Sequence, residues 1–437
     1  MSNGGEGVRS GRLPAEDIER NFADIRPPLK RSEALIESDR CYFCYDAPCT
    51  TACPTGIDIP GFIAQIRSDN VIGSAATILR ENIMGGMCAR VCPTEVLCEE
   101  ACVRNTHEEK PVEIGLLQRY ATDPVFEAQT ALFARSAATG KKVAVIGGGP
   151  AGLSCAHRLA VEGHEVVVFN RDEKAGGLNE YGIAAYKTID DFAQREVDWI
   201  LSIGGIDIRN NVALGADFSL ADLRRDFDAV FLGIGLGSVN ALGLDNEELG
   251  GVEDAIRYIA DLRQAADKGS LPVGRNVVVI GGGMTAIDIA VQSKRLGAER
   301  VDIAYRRGPE QMKASEFERR IAQTSGVTIH YHLQPVALHG DVHVTAVEFE
   351  RDGEKVLMEA DVVFKAIGQR LAKSKLGNEL DGIAIEHGKI VVDDTQATSI
   401  DGVWAGGDCV VDGEDLTVSA VQHGKVAAQA IDRYLRA

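Results

Sequence analysis

Eight of the ten cysteines fall between Cys41 and Cys102. They read Cys41-x2-Cys44-x4-Cys49-x3-Cys53-Pro54 and, after a gap, Cys88-x3-Cys92-Pro93-x4-Cys98-x3-Cys102. Thiolates at such short spacings can converge on a metal centre, and soft sulfur ligands select iron–sulfur clusters, Zn or Cu(I). Cysteine runs that close in Cys-Pro are an iron–sulfur pattern, in which the last Cys of one run ligates the other cluster. The expectation is two iron–sulfur clusters near the N-terminus, so the rest of the chain must supply or remove electrons.

A second kind of chemistry lies in the glycines. Gly147-Gly148-Gly149-Pro150-Ala151-Gly152 and Gly281-Gly282-Gly283-Met284-Thr285-Ala286 each fit G-x-G-x-x-G/A, with Ala286 where the first copy has Gly152. Such glycines allow a tight turn and close backbone approach to a pyrophosphate, which sits at a helix N-terminus. One copy alone is weak, because Gly-rich turns occur in ordinary α/β units. Two copies, each between a strand and a helix, point to two dinucleotides on one chain. After the second copy the strand ends in Tyr305-Arg306-Arg307, with Lys313 close behind. Paired guanidiniums suit bidentate phosphate binding, so this cluster favours NADPH, with NADH as the competitor and a solvated basic loop as the plain alternative. After the first copy an acid is expected near Asn170 to bind the adenine ribose, and Asn stands there instead. Gly176-Gly177-Leu178, the matching stretches Asp228–Gly235 and Asp361–Gly368, and Gly402-Val-Trp-Ala-Gly-Gly407-Asp408 speak for a flavin in the first half.

The positioning elements follow from periodicity and turn signals. Strands are expected at Lys142–Ile146, Glu165–Phe169, Asn276–Ile280 and Val301–Tyr305, with helices to about Glu162 and Leu296. Short helices at Ser32–Asp39, Asp58–Asn70, Val71–Asn82 and Glu113–Ala128 place the cysteines on intervening loops, and a last helix covers about Ala420–Tyr434. Residues 1–11 read as a mobile tail and 135–139 as a linker. The fold class is α/β with an α-helical N-terminal iron–sulfur domain and two Rossmann-like domains, the second inserted in the first. The expected domains are 1–135, 140–255 with 385–437, and 256–384.

The chain has 437 residues, 45% of them hydrophobic, and a formal net charge of −19. An acidic surface excludes nucleic acid and anionic membrane as partners. Neither a transmembrane run nor a secretory signal is visible, so cytoplasm is expected, where clustered cysteines bind metal rather than pair. Cys155 and Cys409 are isolated, no Cys-x-x-Cys follows residue 110, and the histidines form no triad, with His423 more structural than cofactor-binding. No side chain is assigned a catalytic role, since hydride transfer to a flavin needs no general acid or base.

From about Arg31 to the C-terminus the chain resembles the two-dinucleotide-binding flavoproteins of the glutamate synthase small-subunit type. In that family the last motif ends in an Asp that binds the FAD ribityl chain; Asp408 occupies this place, and the helix start near Val418 and Ala420 would face the pyrimidine end of the flavin. Cys41-x2-Cys44-x-Asp46-Ala47-Pro48-Cys49-x3-Cys53-Pro54, the second run, and Ile114-Gly115-Leu116-Leu117-Gln118 resemble dihydropyrimidine dehydrogenases, best the flavin/iron–sulfur subunit of the bacterial two-subunit enzyme. The resemblance implies one [4Fe–4S] cluster on Cys41, Cys44, Cys49 and Cys102, and another on Cys53, Cys92, Cys98 and Gln118, although spacing alone nominates Cys88 over Gln118. It implies an electron-input subunit that takes hydride from NAD(P)H onto FAD and feeds an FMN-containing partner that reduces uracil or thymine. The alternatives are the small subunit of glutamate synthase or a relative of it, and a non-enzymatic redox sensor.

Overall fold

The structure, a computed structural model, describes residues 7–437. The chain forms two compact units: the described part of Met1–Ile25 with Tyr181–Ile189 and Ser238–Gln369, and Arg26–Glu180 with Asp190–Gly237 and Arg370–Ala437.

The larger unit is built on the strand Lys142–Ile146, whose residues are buried except the first. A continuous β-branched apolar run of this kind suits a strand covered on both faces of a parallel sheet. Among the described residues the sheet has five parallel strands, in the order Val403–Ala405, Ala229–Leu232, Lys142–Ile146, Glu165–Phe169, Ile206–Arg209. The helix Pro150–Val161 leaves the central strand, with Pro150 in its first turn, where the missing N–H costs nothing. The C-terminal helix Thr417–Arg436 lies along it. Ser154 Oγ donates to the Val421 carbonyl at 2.8 Å, and a Cβ on Gly424 would stand 2.1 Å from the Ala151 carbonyl oxygen.

The cysteine region belongs to this same unit. Helices Ile59–Arg67 and Val71–Glu81 start where Asp58 and Asn70 accept from the backbone N–H groups of Gly61 and Gly73, each at 3.0 Å. Their apolar faces place Phe62, Ile63, Ile66 and Ile78 in a core shared with Leu117 and Ala121 of helix Ile114–Glu127, and the cysteines pack at its edge. Helix Phe192–Leu201 of the Rossmann half packs against Gly85–Val91. There the buried Glu196 Oε1 accepts from the N–H groups of Gly86 (2.8 Å) and Met87 (3.1 Å). Arg90 lies 3.4 Å over the Phe192 ring and 2.8 Å from Asp123.

In the smaller unit the pattern repeats. Its parallel sheet runs Thr328–His330, Arg300–Ala304, Asn276–Gly281, Val362–Ala366, Val252–Asp254. An antiparallel sheet of Gln334–Gly340, Val344–Arg351 and Glu354–Glu359 accompanies it. The segment Tyr181–Ile189 is anchored by Lys187, whose Nζ lies 2.7 Å from both Asp288 and Glu318. Burial opposes that charge, but the two carboxylates outweigh it and hold the ammonium's pKa above its ordinary value.

Three differences from the sequence expectation stand out. Residues 1–6 of the expected mobile tail lie outside the described residues; beyond them, Val8–Arg9 forms a strand paired antiparallel with Val273–Gly274, and Gly11 N–H bonds the Gly269 carbonyl at 2.8 Å. Ile18 and Phe22 then enter the core of the smaller unit, so this segment does not travel with the cysteine domain. Its apolar residues are too sparse to reveal that docking in sequence. The expected linker at 135–139 is pinned, with Arg135 on Glu165 at 2.6 Å and Ser136 N–H on the Val161 carbonyl at 2.8 Å. The divisions after 237 and 369 also differ from the expected boundaries at 255 and 384. Among the described residues no helix is long and apolar enough to cross a membrane.

Because Gly424 faces a backbone carbonyl that cannot rotate away, Gly424→Ala should cost about 1–3 kcal/mol of overpacking. A lowered urea midpoint at unchanged slope is the expected result; an unchanged midpoint would show that the two helices separate freely.

Candidate functional site

The cysteines gather as two neighbouring sets. Cys41, Cys44, Cys49 and Cys102 line one small cavity together with Tyr42, Pro48, Pro60 and Arg104. Burial pushes the Cys49 thiol up to about 11, and the neighbouring Cys102 and Cys41 add to it. Cys41 is raised by burial, then by Cys44 and Cys102, against a hydrogen bond from Phe43 N–H at 3.4 Å. Cys92 is raised by burial, with Cys88, Cys98 and Cys53 adding, and Cys98 by burial, then Glu99 and Cys53. Each set therefore resists carrying several thiolates at once unless positive charge is placed among them. Among the described residues no three Cys, His, Asp or Glu side chains could hold a single metal ion. A cubane cluster takes each thiolate on a different iron, so its ligands stand around a body rather than a point. Four cysteines lining one cavity fit that demand.

Gln118 is buried, and its Nε2 donates to the Gly85 carbonyl at 2.7 Å. The amide is thus fixed by its nitrogen end, so Oε1 is the atom that could face a metal. Cys88 is buried beside Cys53 and Cys92, and burial raises its thiol. Both candidates for the last ligand position thus lie buried in the same region.

The first glycine fingerprint is shaped by contact. Gly147 has φ +104°, and a Cβ there would meet the Gly233 carbonyl oxygen at 2.2 Å. On Gly152 it would meet the Gly147 carbonyl at 1.9 Å. A Cβ on Gly149 would meet only the Gly177 Cα, at 3.7 Å, so this side is open for a pyrophosphate to approach. Pro150 and Ala151 open the helix, and Leu178 is exposed at the start of the short helix Leu178–Tyr181. Asn170 does not stand free for a ribose. Its Oδ1 accepts from Gly148 N–H at 3.3 Å, and its Nδ2 donates to the carbonyls of Asp172 (2.9 Å) and Lys174 (3.0 Å). Asn rather than Asp suits this position because only the amide donates to those carbonyls.

Asp408 follows the strand Val403–Ala405 and is half-buried, with no hydrogen bond or ion pair to its carboxylate among the described residues. Burial, then Asp415, pushes its pKa up to about 6, against Lys389. Gly407 (φ +81°) turns the chain there, and its N–H donates to His423 Nδ1 at 3.1 Å. His423 thereby holds the turn, in keeping with its expected structural role. Val418 is buried in the first turn of the C-terminal helix, whose cap residue Leu416 offers no side-chain acceptor. Sequence reasoning missed Glu196, Asn179 and Lys425. Each acts across elements distant in the chain, and the only local signal is a polar residue on an otherwise buried helix face.

In the smaller unit, Gly281 (φ +154°) brings its Cα against the Ala366 carbonyl, to which a Cβ would stand 2.2 Å. Gly283 faces open space, and Met284, Thr285 and the buried Ala286 begin a helix without a side-chain cap. Arg306, Arg307 and Lys313 are exposed and carry no ion pair among the described residues. Unpaired cations of this kind suit a phosphorylated ligand.

Residues 18–130 match the family described as dihydropyrimidine dehydrogenase domain II, 4Fe-4S cluster, and residues 141–424 match pyridine nucleotide-disulphide oxidoreductase. The chain is 36% identical over 420 residues to the NAD-dependent dihydropyrimidine dehydrogenase subunit PreT of Salmonella typhimurium, covering 95% of this chain and 98% of that one. It is 34% identical over 452 residues to the glutamate synthase [NADPH] small chain of Escherichia coli, covering 95% and 94%. Among solved structures, T. acidophilum thioredoxin reductase aligns at TM-score 0.54 and 22% identity over 68% of this chain and 100% of that one. Mycobacterium tuberculosis FprA in complex with NADPH aligns at 0.56 and 15% over 68% and 85%. These last two likenesses speak for the fold.

The raised carboxylate of Asp408 has a consequence for stability. Between its unfolded value, about 4, and its folded value, about 6, the native state binds the extra proton. The protein without bound nucleotide therefore loses stability as pH rises through that window, and the loss is complete above it. Asp408→Asn should stabilise this form by up to about 3 kcal/mol at pH 7.5, with the gain vanishing below about pH 4. Thermal unfolding of the cofactor-stripped protein across pH reads this; a gain that does not depend on pH would refute it.

Proposed function

The chain belongs to the pyridine nucleotide-disulphide oxidoreductases, in the form that carries a dihydropyrimidine dehydrogenase-type 4Fe-4S domain, and from that premise we propose that it is the electron-input subunit of a two-subunit dihydropyrimidine dehydrogenase. It is an NAD(P)H-dependent oxidoreductase of the flavin and iron–sulfur kind. The proposal adds two [4Fe–4S] clusters and the sink, a cytoplasmic partner subunit carrying FMN that reduces uracil or thymine to the 5,6-dihydropyrimidine. The observation that carries it is the pair of cysteine sets, packed in the same compact unit as the first dinucleotide fingerprint.

In this reading Gly147, Gly149 and Gly152 cradle the FAD pyrophosphate, and Asp408 accepts from a ribityl hydroxyl, which gives its unpaired carboxylate a partner. Gly281, Gly283 and Ala286 cradle the nicotinamide dinucleotide. Cys41, Cys44, Cys49 and Cys102 ligate one cluster; Cys53, Cys92, Cys98 and Gln118 the other, with Cys88 as the competitor for the place of Gln118. FAD held by these residues would supply hydride acceptance from a nicotinamide and release of electrons one at a time. The protein's part is placement and exclusion of water. Cys155 and Cys409 are both buried on separate elements, so neither forms the exposed dithiol that reduction of a disulfide substrate needs.

The full-length likeness to a glutamate synthase small chain supports a second reading, in which the partner is an amidotransferase. Mixing decides between them: the purified chain with an FMN-containing subunit should oxidise NAD(P)H only when uracil or thymine is present. Turnover with glutamine and 2-oxoglutarate in place of pyrimidine would move the assignment to the second reading. The names of the relatives differ over NAD and NADPH. The unpaired Arg306, Arg307 and Lys313 favour NADPH. Replacing Arg306 and Arg307 together with Ala should lower kcat/KM for NADPH by about tenfold or more, the worth of a charge-assisted phosphate contact, and change NADH little. Equal losses for both would rule out a 2′-phosphate role.

A further inference from the structure

Lys425 is a buried cation that the reading above leaves without a task. It lies on the C-terminal helix roughly 12 Å along the axis from Thr417, at about 1.5 Å per residue. Its Nζ donates to the Thr55 carbonyl at 2.8 Å and pairs with Glu81 Oε2 at 2.9 Å. Thr55, itself buried, sets its Oγ1 3.3 Å from Cys53 Sγ. The Glu81 carboxylate is 37% exposed and the Lys425 side chain 11%. Water therefore screens the anion more than the cation, and a net positive field is left on the Cys53 side, where the dielectric is low. The same helix reaches this region a second time. Thr417 Oγ1 donates to Asn179 Oδ1 at 2.6 Å, and Asn179 Nδ2 donates to Met84 Sδ at 3.5 Å. Met84 adjoins Gly85, whose carbonyl takes the Gln118 amide.

We propose that Lys425 is a positioning residue for the centre that Cys53 ligates, and that its charge raises the reduction potential of that centre. This rests on the reading of Cys53 as a ligand of an iron–sulfur cluster. Reduction by a flavin adds one electron to such a centre with no bond made or broken, so its charge falls by one unit. A nearby ammonium stabilises that added charge, and the centre becomes the better acceptor from a flavin at the start of the same helix. The Thr55 bond also holds the loop that presents Cys53.

The test is a redox titration of the full chain followed by EPR, with iron and flavin counted in every sample. Lys425→Met should move the midpoint of one cluster signal to lower potential and leave the other signal in place. Lys425→Arg should restore it. Glu81→Gln, which unmasks the ammonium, should move the same signal the opposite way. Unmoved midpoints at full iron content, or shifts of one sign in both variants, would overturn the proposal. If Lys425→Met loses iron, the upward shift of Glu81→Gln, with Lys425→Arg at the wild-type midpoint, decides, and an unmoved Glu81→Gln midpoint refutes the charge effect. A wild-type chain with no iron–sulfur signal would instead remove the underlying assignment of the cysteines.

Discussion

Sulfur crowded into a low dielectric is the constraint on which the larger unit turns. Every cysteine with a resolved shift in the two sets is pushed up by burial first, and neighbouring sulfurs add to it, after Glu99 at Cys98 and Glu196 at Cys88. Thiols placed so close gain nothing from each other, and a cluster can be received only if the loops are held in position beforehand. The helical domain does not do this alone. Glu196 of the Rossmann half caps Gly85–Val91 through two backbone N–H groups, and Phe192 of the same helix carries the Arg90 guanidinium, which in turn holds Asp123. Burial pushes Glu196 up to about 8, against those N–H groups and Arg90, so keeping a carboxylate there is costly. That cost is sustained by the packing around it: a Cβ on Gly86 would strike Phe126 and Phe192 at 2.5 Å.

The two parallel sheets show how one device serves two ligands. In both, the glycine ending the central strand lies against a carbonyl of the adjacent strand, Gly147 on Gly233 and Gly281 on Ala366. That contact seats the helix N-terminus where a pyrophosphate is met. Divergence begins one strand later. Asn170 is consumed by its own turn, whereas Arg306 and Arg307 project without partners. The larger unit therefore offers backbone and one unpaired acid, Asp408, and the smaller offers cations. A neutral polyol chain calls for the first arrangement and a phosphate for the second.

Much of this was legible in the sequence because it is local. Lys142–Ile146 and Glu165–Phe169 form strands over the expected residues, since an apolar β-branched run between glycine turns leaves little choice. The gathering of Cys41, Cys44, Cys49 and Cys102 in one cavity followed from likeness, not from spacing, because Cys102 arrives from far along the chain. What stayed hidden depends on tertiary contact. Val8–Arg9 carries no strand signal until Val273–Gly274 is beside it. Asn170 stood where a ribose acid is expected, and its partners, the Asp172 and Lys174 carbonyls and Asn210 Oδ1 from beyond the strand Ile206–Arg209, come together only in the fold. Lys425 and Glu196 read as ordinary polar residues on amphipathic helices.

The pair Gly424-Lys425 shows how such a hidden contact is fixed. Gly424 must lack a side chain, because Ala151 O stands 2.1 Å from where Cβ would be. That close approach sets both the rotation and the height of the C-terminal helix on the helix Pro150–Val161. One residue onward the helix has turned by about 100°, so Lys425 points off that contact and toward Thr55. The first turn of the same helix lies beside Gly407, with Ala420 Cβ 3.8 Å from where a Gly407 Cβ would be. A single rigid element therefore registers the Asp408 turn against the Cys53 loop. Any slip of the helix on Ala151 would displace both together, so the spacing between the two sites is set by glycine packing and not by loops.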